Sequence, residues 1–222
     1  GDYVAGSWSH NLAFADAAAN INIAALGYGF DDHVTQTGVR FPLFPMMIRW
    51  YAQVFHVEPS LASFVISKLA LLLGMLGLWQ LIDHLDGNEQ ANRSIQYMIF
   101  PLLGTTYAWL FSNPEALHFA GWTWGFYFLF KRQYYACGLV TVLTVLSRPQ
   151  AIFIVVPYAL ILLIDTLRAR RSLFDTALWQ AGFFACALPI LVFALWMVRI
   201  STIAELPFAP ITGQASHMRS GF

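Results

Sequence analysis

Charged residues punctuate this chain and leave six apolar runs between them, 61–82, 94–111, 116–130, 133–147, 149–164 and 176–198. Lys68 is the single charge in the first run, and the other five hold none. A helix rises ~1.5 Å per residue and the hydrocarbon core of a bilayer is ~30 Å thick, so an upright crossing takes ~20 residues. The first and last runs meet that length outright. The shorter middle runs reach it when Lys131, Arg132 or Arg168 snorkel from their ends; otherwise they are half-buried or re-entrant. Pro101, Pro157 and Pro189 fall inside runs and predict kinks. Only Ser112, Asn113, Pro114 and Glu115 join the second run to the third, which predicts a tight hairpin.

Residues 1–60 break the pattern. They carry Asp2, Asp16, Asp31, Asp32 and Glu58 together with Arg40 and Arg49. The Ala-rich stretch from Phe14 to Leu26 favours a helix, with Gly27 as its C-cap. Asp16 then sits in the first turn, where a carboxylate suits the helix dipole. Further on, Phe41-Pro42-Leu43-Phe44-Pro45 spaces two prolines by three residues. That predicts a short extended entry into an interfacial helix at Met46, with Trp50 and Tyr51 at headgroup level. The chain divides accordingly into an extracytoplasmic loop with short helices (1–60), a transmembrane bundle (61–199) and a second extracytoplasmic segment (200–222).

Composition supports the membrane reading. The chain is 58% apolar, 16% aromatic and 11% charged, whereas a soluble domain carries about 25% charge. So few charges cannot cover a water-facing surface, and lipid must solvate much of the chain. Twelve basic and twelve acidic residues balance to zero, which argues against a nucleic-acid partner held by bulk charge. Cys137 and Cys186 lie inside apolar runs and read as packing residues, not as a disulfide or metal pair. If 61–82 runs inward, Arg93, Lys131, Arg132, Arg168, Arg170 and Arg171 fall inside and Arg148 outside, as the positive-inside rule asks. Residues 1–60 and 200–222 are then both extracytoplasmic. With no initiator Met and no signal-like start, the chain is expected to be a fragment of a longer membrane protein, or to have its first helix upstream of Gly1.

Several short elements carry a resemblance. The segment from Ala15-Asp16 through Ile23-Ala24 to Gly27-Tyr28 resembles the first lumenal loop of the GPI mannosyltransferase 2 family and its bacterial relatives. In that family a Trp-Asp is followed by aromatic residues, Ile-Ala and Gly-Tyr. Phe41-Pro42-Leu43-Phe44-Pro45 is similar to the family's Phe-Pro-Leu-Tyr-Pro, and Pro114-Glu115-Ala116-Leu117 to its Ser-Glu-Ser-Leu turn. Ser147-Arg148-Pro149-Gln150-Ala151 resembles its Thr-Arg-x-Asn-Gly. The elements occur in the family's order and cover 15–151 with gaps. Ala15 and Ala19 stand where the family has aromatic residues, and Pro149-Gln150 replaces the Asn-Gly context.

The resemblance implies an all-α, polytopic bundle of the GT-C type. It also implies transfer of a hexose, mannose by the family, from a polyprenyl-phosphate donor to a lipid or glycan acceptor, with inversion. No nucleotide, metal or other cofactor is implied. Such a reaction needs a base for the acceptor hydroxyl and positive charge or donors for the departing phosphate. Asp16 matches the family's loop aspartate and is the candidate base; the competing account is a helix N-terminal carboxylate without chemistry. Asp31 and Asp32 are alternative carboxylates, and adjacent acids in a polar turn are usually solvated. Arg148 opens a span and suits a lipid phosphate on its guanidinium fork, or is an interfacial anchor; Arg40 has the same two readings. Glu115 begins a span as a substrate ligand or a capping carboxylate. His118, three residues on, shares its face and lines the same cavity or packs in the core.

The expected protein is therefore a glycosyltransferase working on the extracytoplasmic face. Its compact loops point to a bacterial plasma membrane, with the endoplasmic reticulum as the alternative. Two other readings stay open. One is a transporter or channel with Lys68, His118 and Glu115 along its path; the other is a non-catalytic relative of the enzyme. Phosphate-loop, zinc-protease and serine-hydrolase signatures do not occur.

Overall fold

The computed structural model describes residues 16–28, 40–99, 112–168 and 176–204, and every element among them is helical. The first, α1, spans Asp16–Leu26 and ends at Gly27, whose φ of 90° and N–H bond to the Ile23 carbonyl (2.8 Å) close the helix as expected. Next, α2 spans Leu43–Phe55. It starts earlier than the proline spacing predicts. Pro45 lies in its first turn, where the backbone N–H has no helical partner to lose, so only Phe41 and Pro42 precede the helix. His56 terminates it in the left-handed region at φ 52°.

The long helix α3 covers Pro59–Asp86, with proline at its N-terminus, and stops at Gly87, φ 90°. The connection expected over 83–93 is instead helical on both sides of that one glycine, because α4 (Asn88–Ile99) begins at once. The remainder of the 94–111 run lies outside the described residues. After the 112–114 turn, α5 spans Glu115–Phe130 and α6 spans Tyr134–Val145. A 3-10 segment, Pro149–Ile154, leads into α7 (Val155–Arg168). Then α8 (Thr176–Gly182) passes through a π turn, Phe183–Ala187, into α9 (Leu188–Ala204). The change of helix type stands two residues before Pro157 in one case and before Pro189 in the other. A proline withholds one i→i−4 bond, and the preceding turn tightens or widens to accommodate it.

Three helical stretches among the described residues are long and apolar enough to cross a membrane: Pro59–Asp86, Pro149–Arg168 and Thr176–Thr202. Their outer faces carry exposed large apolar residues, among them Leu69, Leu72 and Leu76, Leu160, Leu163 and Leu167, and Leu191, Leu195 and Val198. In water such faces would be unstable, whereas in lipid they are the solvated surface. By contrast, α5, with 16 residues, reaches only ~24 Å, and α6, with 12, only ~18 Å. The short middle runs therefore stay short as helices.

Packing fixes the directions. Along α3, Ser63 meets Ser112, Gly74 meets Phe119 and Ala120, and Gly77 meets Thr123 and Trp124, so α3 and α5 run parallel. Gly121 against Thr144 and Gly125 against Thr141 make α6 antiparallel to α5. Arg148 meets Glu115 at the start of α5 and Tyr158 lies beside Phe126 further along, with ring centroids 4.9 Å apart, so α7 runs parallel to α5. Small residues let the axes approach, and the exposed carbonyls find donors: Thr123 Oγ1 bonds the Gly74 carbonyl at 3.2 Å and Trp124 Nε1 the Leu73 carbonyl at 2.9 Å. Close backbones with satisfied carbonyls are how helices associate in lipid. Cys137 is fully buried beside Leu129, Ile154 and Tyr158, and Cys186 approaches the Val155 carbonyl; both are free thiols in packing positions.

Candidate functional site

The helix starts and ends that matter gather at one end of the bundle. There α2 is fastened to the end of α6 by the Leu43 N–H on the Leu146 carbonyl (2.9 Å). Ala24 of α1 packs with Phe44, Ile48, Ala62 and Ile66, which holds α1 over the beginning of α3. Phe41 stacks on Phe193 (5.7 Å) and Tyr28 meets Trp196 edge-on (5.5 Å), so α9 closes the same end.

At this end Arg148 and Glu115, 33 residues apart, form an ion pair. Arg148 stands extended between α6 and Pro149, while Glu115 is the first residue of α5. Two separately anchored backbones therefore bring the charges together. This changes what the sequence implies for each. Arg148 reaches the site already carrying a carboxylate partner, and Glu115 serves that guanidinium as well as the helix dipole.

The 112–114 turn is buried despite its polar residues. Ser112 and Asn113 are both 1% exposed. Ser63 and Ser112 share a hydrogen bond, and Ser67 Oγ donates to the Asn113 carbonyl (3.2 Å) and accepts from its N–H (3.3 Å). The Ser112 hydroxyl and the Asn113 backbone are thus satisfied from within by α3, not by water. The signal for it was legible as Ser63 and Ser67, one helical turn apart in an apolar run, and sequence reasoning passed it over.

His118 lies one turn beyond Glu115, against Trp122 with ring centroids 5.2 Å apart. Arg40 belongs to the same end of the bundle, where its carbonyl accepts the Tyr28 hydroxyl at 3.3 Å. Burial pushes the Tyr28 hydroxyl far above its ordinary pKa, with Arg40 pulling the other way, so Tyr28 stays a neutral donor. Of Asp16 the structure describes the backbone that opens α1, and Asp31 and Asp32 lie outside the described residues. Lys68 Nζ lies 4.9 Å from the centre of the Phe64 ring. Among the described residues no three His, Cys, Asp or Glu side chains are grouped to hold a metal ion.

Beside this polar end runs an apolar groove of about 540 Å³. Met47 and Tyr51 of α2, Leu69 and Leu73 of α3, Leu117 and Trp124 of α5 and Leu143 of α6 line it. Leu117 and His118 are adjacent, so neighbouring residues of α5 look into the groove and onto the polar face. No protein-family model, curated protein or solved structure matches the chain.

Proposed function

We propose that the chain is a membrane glycosyltransferase of the GT-C class that moves a hexose, mannose by the resemblance, from a polyprenyl-phosphate donor to an acceptor in the outer leaflet. One observation carries the reading: an apolar groove and an Arg–Glu pair sit at the same end of the bundle, on two faces of one helix. A donor with a hydrocarbon tail and a charged head needs that combination. The tail occupies the groove, which offers it van der Waals contact on all four helices, and the phosphate approaches Arg148.

In the transfer, the acceptor oxygen forms its bond to the anomeric carbon as the bond to the phosphate oxygen breaks. The acceptor proton passes to the Asp16 carboxylate, and the electron pair leaves with the phosphate, whose charge the Arg148 guanidinium meets. Glu115 holds that guanidinium in place. The site faces outward from a bacterial plasma membrane in a multi-pass protein, with α1 held over the start of α3.

Asp16→Asn is expected to abolish hexose transfer in an assay with a defined polyprenyl-phosphate mannose, while expression and thermal unfolding stay as in the parent. Full turnover by that variant would remove Asp16 from the mechanism. Solute flux in proteoliposomes without any turnover of sugar-lipid would replace the transferase by a transporter.

A further inference from the structure

The start of α5 concentrates an unusual set of polar atoms. The side-chain oxygen and nitrogen of Asn113, Glu115 Oε2, His118 Nδ1 and Trp122 Nε1 are all buried and meet no hydrogen-bond partner among the described residues. Asn113 is 1% exposed, and both of its polar side-chain atoms are in this state. Glu115, His118 and Trp122 follow one another at helical spacing, so they form a single strip on one face of α5. Buried polar groups nearly always find partners, and a run of exceptions in ten residues calls for a reason.

We infer that this strip is a subsite for a hydroxyl-rich ring, a sugar or another cyclic polyol. The mixture of donors and acceptors decides the class. A phosphate would need donors alone, whereas Asn113 Oδ1 and Glu115 Oε2 are acceptors. A cation would need acceptors alone, and both the Trp122 N–H and the Arg148 guanidinium oppose it. A hydroxyl gives and takes one hydrogen bond at the same atom, which suits a carboxylate oxygen, an indole N–H, an imidazole nitrogen and an amide side by side. The His118 and Trp122 rings pack against each other beside these atoms, centroids 5.2 Å apart and tilted by 36°. The inference deepens the transferase reading and rests on it for the source of the ring, whether the donor's sugar or the acceptor's. The binding itself is independent of turnover.

The test uses the full chain in detergent with 15N-labelled indoles, the Trp122 resonance being assigned from Trp122→Phe. Methyl mannoside is expected to shift that resonance saturably, and inorganic phosphate to leave it in place. His118→Leu should weaken the binding about tenfold, the loss of roughly one hydrogen bond, and His118→Gln should restore part of it. Competition of methyl mannoside against a short-chain polyprenyl-phosphate mannose assigns the ring to the donor; competition against the acceptor alone assigns it there, and either supports the site. A resonance unmoved by methyl mannoside, methyl glucoside and inositol alike overturns the subsite and leaves these atoms to structural water. A shift with phosphate and not with sugar overturns it as well. Binding of mannoside without sugar-lipid turnover keeps the subsite and ends the transferase reading, whereas turnover unaffected by Trp122→Phe and His118→Leu does the reverse.

Discussion

Arg148 and Glu115 illustrate how much a single contact can redefine. Their side chains are 25% and 36% exposed, so solvent screens the pair and its coupling is modest, about 1 kcal/mol. Removal of either charge leaves the other at a half-buried helix terminus. Glu115→Gln and Arg148→Gln are therefore expected to destabilise less together than the sum of the two singles. A thermal or denaturant double-mutant cycle in one detergent measures the difference, and strict additivity would show that the pair contributes nothing. The activity readout separates roles: in the transferase reading, Arg148→Gln raises the KM for the donor more than Glu115→Gln does, because only the guanidinium meets phosphate.

At the scale of elements, glycines set how closely helices approach. A Cβ built on Gly138 would lie 2.7 Å from the Phe184 carbonyl oxygen, a backbone atom that no rotamer can move. Gly182, one turn from the same junction, has nothing within 4 Å of such a Cβ. Gly138→Ala is expected to cost about 1–3 kcal/mol through forced separation of α6 from the π turn. Gly182→Ala should be neutral or slightly stabilising, since alanine is the better helix former. Thermal unfolding of the two variants side by side checks this, and equal behaviour would mean that the close approach at Gly138 is not what holds the helices. Pro157 and Pro189 were legible as sites of disturbance. That one follows a 3-10 segment and the other a π turn is a difference of which composition carries no trace.

For the whole molecule, the helix directions predict sidedness. Gln133 opens the turn before α6 and Gln150 lies just beyond its far end, both exposed. Single cysteines at these positions, in a background lacking Cys137 and Cys186, are expected to react with an impermeant maleimide from opposite sides of a sealed vesicle. Labelling of both from one side would mean that α6 does not cross, and that the ~18 Å helix is re-entrant.

The sequence by itself determined the solvent, the helical class, the end of α1 at Gly27 and the positions where charge and proline interrupt apolar runs, because those follow from local composition and period. It also marked Glu115, His118 and Arg148 as polar residues beside apolar runs. Only the tertiary structure decided that Glu115 and Arg148 neutralise each other, that the chain turns at Gly87 so that α4 folds back along α3 with Asn92 on the Trp79 indole, and that the 112–114 turn is buried under α3 serines. Those outcomes depend on partners tens of residues away, and a charge or a hydroxyl looks the same in sequence whether water or another helix satisfies it.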